Sequence, residues 1–440
     1  MIVPENMPNG FTQLSEVPTA GSGGLQEPTV LSPSESEVPT VSPVEPPVEP
    51  PIEPPVEPPI EPPVEPPIDP PVQPPVEPVI PTDPFGLDYW LYHSEDRALT
   101  TDLLQLNAKL QSGGKVHRIE TLGRQYTASE VQKMIDTYVL PSVGYDKDGN
   151  LRDNAFFENA LKQRNVEGIA DVSAQIALTL HKAEVRAFPV EEPCYSDNLM
   201  QDLFQEASLP VGTPIQLLHT SADGKYYFVR SYFYCGWVAA EDITVTTEAL
   251  FSLFAAPETF AVVTKTASVD DLVMGTILPL VSQNEHTATL LVPDRKAGVK
   301  EIEVFLSDIS IGYLPATTHN LLQLAFSYVG TPYSWGDKGR GVDCSGLYVA
   351  VMRCMGIFLA RNTGDMRRTP AVNYIVLDGK IPHELPTGSL IFRPGHVMMY
   401  LGTVEGTHYI LHAPGSGMQV RVDTLARVDN LIVAFWPAVA

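Results

Sequence analysis

The residues able to do covalent chemistry lie near the C-terminus. Cys344 follows a glycine-rich stretch, GTPYSWGDKGRGVD, and precedes an apolar run from Leu347 to Met355 that reads as a helix. A thiol at a helix N-terminus faces the positive end of the helix dipole and free backbone N–H groups, both of which favour thiolate. The same N–H groups can hold a developing oxyanion. The small neighbours Ser345 and Gly346 predict an accessible sulfur. A thiolate nucleophile needs a group that takes and returns a proton. His396 opens a strand, GHVMMYLG, bounded by Pro394-Gly395 and Gly402, and His412 sits near the end of the next, YILHAPG. Two adjacent antiparallel strands would put His396 beside the thiol and His412 behind His396, the nucleophile–base–orienter order of a triad.

These residues need elements that position them. LLQLAFSYVG, 321–330, reads as a helix leading into the glycine-rich loop. From about 181 to 314 the pattern is one of short strands: IQLLHT, YYFVRSYF, GWVAAEDITV, ATLLVP and EIEVFL, separated by turn signals such as Asp223-Gly224. Two consecutive sets of them predict two small barrels, 181–247 and 248–314. Residues 85–180 show helical periodicity. Ser129 is placed to cap a helix carrying Val131, Met134, Ile135 and Tyr138, stopped by Pro141, and Ile169–Leu180 reads as a second amphipathic helix. Between them, Asp146, Asp148 and Asn150 are spaced like calcium ligands. Leu151 and Phe157 stand where that loop needs Gly and Glu, so a turn is expected there.

The motifs around Cys344 resemble the NlpC-type family of cell-wall cysteine peptidases, a bacterial branch of the papain-like fold. GTPYSWG at 330–336, DCSG at 343–346, His396-Val397 and His412 occur in that family's order over about 315–440. GTPIQLLHTSADGKYYFVRSYFYCGWV resembles a bacterial SH3-like domain. The domain order resembles one subgroup, γ-D-glutamyl-L-diamino acid endopeptidases, in which a helical stabilising region and two SH3-like domains precede the α+β peptidase. The resemblance implies Cys344 as nucleophile, His396 as general base and acid, and His412 as orienter. It implies that Asp343 and Ser345 contact a substrate's free amine, and that Tyr333 and Trp335 line the cleft. Arg361 and Thr363 match a further motif, in which Asn362 replaces an acid and Met366 an amide. Tyr234 would close the site from the first SH3-like domain. The implied substrate is a peptidoglycan stem peptide or a murein tripeptide fragment with free N-terminal L-Ala, cut between D-Glu and the diamino acid without a cofactor. A catalytically idle wall-binding protein and an amidase or acyltransferase on the same fold are the alternatives.

The 440 residues carry 28 Lys and Arg against 53 Asp and Glu, with 42 Pro. Residues 1–84 hold 26 of those Pro, 14 acids and no base, so the rest has an ordinary globular composition with a net charge of −11. Without a basic patch, nucleic-acid binding is not expected. Residues 1–44 have a disordered composition. From Glu45 to about Pro78 the unit EPPV or EPPI recurs. Paired prolines exclude helix and sheet and predict a polyproline II spacer, roughly 100 Å long at about 3.1 Å per residue. Such a spacer suits an envelope tether. Residues 1–30 show no leader pattern, which points either to an unseen upstream start, with a periplasmic or envelope location, or to a cytoplasmic recycling enzyme. No run is long and apolar enough for a membrane span, and no metal-ligand spacing is present. Cys354 reads as a buried hydrophobe. Cys194 and Cys235 read as two buried thiols or one disulfide, and His319, His383 and His408 as surface residues.

Overall fold

The computed structural model describes residues 80–440 except 266–271, 370–372, 378, 382–384, 416–417, 426–432 and 437–440. The Pro-rich repeat, with all of 1–79, and His383 fall outside the described residues. The chain enters through α1 (Leu87–His93) and α2 (Leu103–Ser112), whose N-cap Asp102 accepts the Gln105 amide. The strands β1 (Gln125–Tyr126) and β2 (Val172–Ser173) form a small pair. Between them lie α3 (Ala128–Ile135) and α4 (Asn154–Gln163).

The cap of α3 is Thr127 and not Ser129. Thr127 and Glu130 form a reciprocal capping box, and Asp136 ends the helix before Pro141 is reached. The expected turn stands between α3 and α4, where the Asp146 carboxylate accepts from the Asp148 and Asn150 amides at 2.9 Å each.

The stretch Ile169–Leu180 is not a helix. It contains β2 and β3 (Gln175–Thr179), and β3 lies between β6 (Pro214–Thr220) and β9 (Ile243–Val245). Four of the five β3 residues are buried, so its apolar run lacks the alternation that marks a half-exposed strand. β4 (Ala183–Arg186), β5 (Gln205–Leu209), β7 (Tyr226–Arg230) and β8 (Cys235–Ala239) complete the first sheet, in the order β5-β4-β8-β7-β6-β3-β9. Trp237 and Phe228 fill its core with Val131 and Ile135 of α3.

Helix α5 (Glu248–Ala255), capped by Thr247, leads to a second antiparallel sheet. This sheet has β10 (Phe260–Val263), β11 (Ile277–Gln283), β12 (Thr287–Asp294), β13 (Gly298–Phe305) and β14 (Ile309–Ile311), in the order β13-β12-β11-β10-β14.

The C-terminal part opens with α6 (Thr318–Phe326), α7 (Cys344–Cys354) and α8 (Thr363–Arg368). Its sheet comprises β15 (Asn373–Val376), β16 (Leu390–Arg393), β17 (His396–Val404), β18 (Thr407–His412), β19 (Arg421–Thr424) and β20 (Val433–Trp436), in the order β15-β20-β16-β17-β18-β19. α7 packs its apolar face on this sheet, and Tyr348 Oη donates to the Leu411 carbonyl of β18 at 2.5 Å. One core cluster runs from Trp90 of α1 through Val185 and Ile215 of the first sheet to Leu347, Met352 and Leu411. The four cysteines are free. Cys194 and Cys235 sit in different side-chain clusters, as two separate thiols, and Cys354 is fully buried with its thiol on the Val263 carbonyl at 3.3 Å. His319 and His408 are half-buried and engaged. His319 Nε2 lies 2.9 Å from the Ser94 carbonyl, and His408 Nδ1 lies 2.8 Å from Thr403 Oγ1.

Candidate active site

Cys344 is the first residue of α7, and Asp343 is its cap. Asp343 Oδ1 accepts the amides of Ser345 at 3.0 Å and Gly346 at 2.8 Å. The cap therefore takes two of the N–H groups that a thiolate or an oxyanion would use. The thiol is also not open: Cys344 is 7% exposed, with Thr363 Oγ1 at 3.7 Å from its sulfur. Burial, and next the Asp343 carboxylate, push the thiol up to about 11, against hydrogen bonds from the Val397 amide and Thr363. The helix end thus does not produce a resting thiolate, because desolvation of the ion outweighs it. A base has to take the proton.

Two histidines stand on the neighbouring strands. His396 begins β17, one residue before Val397, whose amide serves the thiol. His396 Nε2 lies 2.8 Å from His412 Nδ1, at the end of β18. His412 Nε2 in turn lies 3.0 Å from Asp423 Oδ2 on β19, which also accepts from Arg421 Nε at 2.8 Å. Sequence reasoning missed Asp423. It sits two residues after Arg421, which pairs with His412 across the strands, and only that register brings it to the site. Burial, the neighbouring His412 and Arg393 lower His396 to about 4. Burial also lowers His412, although Asp423 opposes the shift. Both rings are therefore neutral at rest. Burial raises Asp423, but hydrogen bonds from His412 and Arg421 outweigh it and hold the carboxyl below its ordinary value.

A second group surrounds Arg361, which is 3% exposed. Its Nη1 donates to Asp343 Oδ1 at 3.1 Å and to Ser345 Oγ at 2.8 Å. Its Nη2 meets Asp343 Oδ2 at 2.7 Å and Asp337 Oδ2 at 2.9 Å. Asp343 and Ser345, read as contacts to a substrate amine, are thus buried and already partnered. Asp337, which sequence reasoning also missed, is pushed up to about 6 by burial, against Arg361. Gly346 explains its place in DCSG: a Cβ there would overlap the Asp337 carboxylate.

The loop 330–336 docks on the first sheet. Gly336 has a φ of 65°, and its carbonyl accepts from Ser208 Oγ at 3.1 Å and Gln205 Nε2 at 3.2 Å. Trp335 Nε1 donates to the Gln205 carbonyl at 2.9 Å. Tyr333 packs against the core that includes Cys344, and its phenol is raised by burial first and then by the thiol. From the first sheet, Tyr234 Oη donates to Glu206 Oε2 at 2.5 Å and accepts from Asn362 Nδ2 at 3.4 Å. Glu206, a third residue that sequence reasoning missed, is pushed up to about 7 by burial, against Tyr234 and Arg361. Among the described residues, no group of three His, Cys, Asp or Glu side chains could hold a metal ion.

Comparison with known proteins agrees with this geometry. Residues 330–430 match the NlpC/P60 family, and residues 197–239 match an SH3 domain of the SH3b1 type. Dipeptidyl-peptidase 6 of Lysinibacillus sphaericus is 37% identical over 111 residues, which are 25% of this chain and 37% of that protein. The chain therefore spans little more than a third of that relative's length. The structure of an NlpC/P60 endopeptidase from Photobacterium damselae subsp. piscicida shares the fold. The likeness has a TM-score of 0.63 at 16% identity and covers 82% of this chain and 98% of that one. The C-terminal part of this chain thus carries a match to the NlpC/P60 family, set behind a segment that matches an SH3 domain of the SH3b1 type.

Proposed function

We propose that this protein is a cysteine endopeptidase that hydrolyses the γ-D-glutamyl–diamino acid bond of peptidoglycan stem peptides carrying a free N-terminal L-Ala. The observation that carries the reading is a thiol at the head of α7, beside a strand whose first residue, His396, is hydrogen-bonded to His412. His396 takes the Cys344 proton as the sulfur attacks the γ-carbonyl carbon and forms the C–S bond. The Cys344 amide, which the Asp343 cap does not use, suits the oxyanion. Collapse breaks the C–N bond, and His396 returns its proton to the leaving amine. A water, deprotonated by His396, then attacks the thioester, and the thiol is restored with its proton. No cofactor is called for.

The free ammonium of L-Ala needs an anionic partner. Glu206 suits it better than Asp343, because Glu206 is hydrogen-bonded to a neutral phenol whereas Arg361 offsets the charge of Asp343. Asp343 and Ser345 then form the floor through Arg361, Thr363 flanks the sulfur, and Tyr234, Tyr333 and Trp335 wall the cleft. The name of the Lysinibacillus relative, a dipeptidyl-peptidase, supports release of a dipeptide, here L-Ala-D-Glu. The proposed substrate and the Pro-rich repeat of the sequence favour a periplasmic or envelope location, with the repeat as a tether. No helix among the described residues is long and apolar enough to cross a membrane.

Mass spectrometry of L-Ala-γ-D-Glu-diaminopimelate incubated with the protein tests the reading. Wild type releases L-Ala-D-Glu and Cys344→Ala does not. Failure of the folded wild type to cleave would sink the endopeptidase assignment and favour a wall-binding role or another acyl substrate.

A further inference from the structure

We propose that Asp423 is a positioning residue that sets the proton positions of both histidines, extending the site to a Cys344–His396–His412–Asp423 relay. The inference rests on the thiol-peptidase reading and deepens it.

The argument follows the protons outward from Asp423. An ionised carboxylate only accepts hydrogen bonds. Asp423 Oδ2 lies 3.0 Å from His412 Nε2, so that nitrogen carries the hydrogen. In a neutral imidazole the other nitrogen is then a bare lone pair. His412 Nδ1 therefore accepts, and the atom 2.8 Å away, His396 Nε2, must donate. Neutral His396 is left with its lone pair on Nδ1, the form that can take a proton from a thiol. Each tautomer follows from the one before, and the series starts at Asp423.

Without Asp423, the reversed chain becomes equally good. His412 would donate from Nδ1, His396 would accept at Nε2, and its hydrogen would move to Nδ1, where it blocks the base. Arg421 Nε shares the same Asp423 oxygen at 2.8 Å and pins the carboxylate on the strand edge. Asp343, Arg393 and His412 face His396, and Asp423, Arg421 and Arg393 face His412. Of the two carboxylates among them, Asp423 is the one hydrogen-bonded to an imidazole.

Two variants of the full chain separate this role from a structural one. In Asp423→Asn, Arg421 Nε–H holds the amide oxygen where Oδ2 was, so the tautomers persist and only the charge is lost. In Asp423→Ala both are lost. The readouts are ¹⁵N-histidine NMR of the free protein and the rate of Cys344 alkylation by iodoacetamide at pH 7. We expect Nε2–H on both histidines in wild type and Asp423→Asn, with alkylation rates within about threefold of each other. For Asp423→Ala we expect mixed tautomers, alkylation about tenfold slower, and a fall in kcat with KM unchanged. The Asp423 side chain is 33% exposed. Asp423→Ser therefore serves the same measurements if the alanine variant does not fold. Wild-type tautomers in Asp423→Ala, with or without slower alkylation, would overturn the proposal. The tautomer and alkylation readouts use no peptide, so a wild type that shows the expected tautomers and alkylation but cleaves nothing refutes the proposed function and leaves the relay standing.

Discussion

Two carboxylates of the candidate site have been given different tasks by their neighbours. Asp343 is held below its ordinary value: burial opposes this, but Arg361 and the hydrogen bonds from Gly346 and Ser345 win. Glu206 rises to about 7, because burial, the largest cause, outweighs the hydrogen bond from Tyr234 and the charge of Arg361. A bound ammonium favours the ionised carboxylate, so affinity for a free-amine substrate is full above pH 7 and lost as pH falls through it. His396 titrates at about 4, well below that window, so it does not cause the loss. We expect kcat/KM for the free-amine peptide to fall below pH 7 in wild type, and Glu206→Gln to raise its KM by about 10- to 100-fold at pH 7.5. An N-acetylated peptide should respond to neither change. Superimposable pH profiles for wild type and Glu206→Gln on the free-amine peptide would refute this role. The motif residues were legible because DCSG and GTPYSWG are contiguous. Glu206 and Asp423 were not, because each acts across a strand or domain boundary that spacing does not reveal, and Asp337 was not, because only the fold brings it to Arg361.

Among the elements, α1 shows how a short helix can bear on a distant site. It has seven residues and no side-chain cap, so little intrinsic stability holds it. What holds it is Trp90, buried at 4% exposure, with its Nε1 on the Pro84 carbonyl at 2.8 Å and its ring 5.8 Å from that of Tyr409 on β18. That strand ends in His412. Trp90→Ala should cost about 3–5 kcal/mol by urea denaturation, the usual loss for a buried aromatic. A cost below about 1 kcal/mol would mean that α1 is an ornament on the sheet. The same dependence on partners explains why Ile169–Leu180 misled. β3 is buried on both sides within its sheet, and a buried strand and a buried helix share one apolar signature.

At the scale of the molecule, the loop before Cys344 is built against the SH3-like domain and not beside it. Ser208 Oγ donates to the carbonyls of Gly336 and Asp337 at 3.1 and 3.0 Å, and Lys182 reaches the Gly339 carbonyl at 2.5 Å. Lys338 approaches Glu184 at 3.6 Å, and one apolar core joins α1, the first sheet and α7. Multidomain chains of this length often unfold in steps. Here the shared core predicts one transition. Tryptophan fluorescence and Cys344 alkylation in guanidinium should report the same midpoint, and a loss of thiol protection well before the fluorescence change would disprove it.

The linear chain by itself marked the candidate thiol and histidines and the order of the segments that match the SH3 and NlpC/P60 models. A nucleophile at a helix start, two histidines at strand ends and the turn-punctuated short strands are local patterns, written within a few residues of each other. Only the tertiary structure decided the state of the site. The thiol is protonated because burial outweighs the helix dipole, two amides of α7 are spent on Asp343, and Arg361 pairs with the carboxylate that the family resemblance had assigned to the substrate. The protonated thiol and the Arg361 pair are set by desolvation and by a partner far away in sequence, and neither quantity exists until the chain has folded.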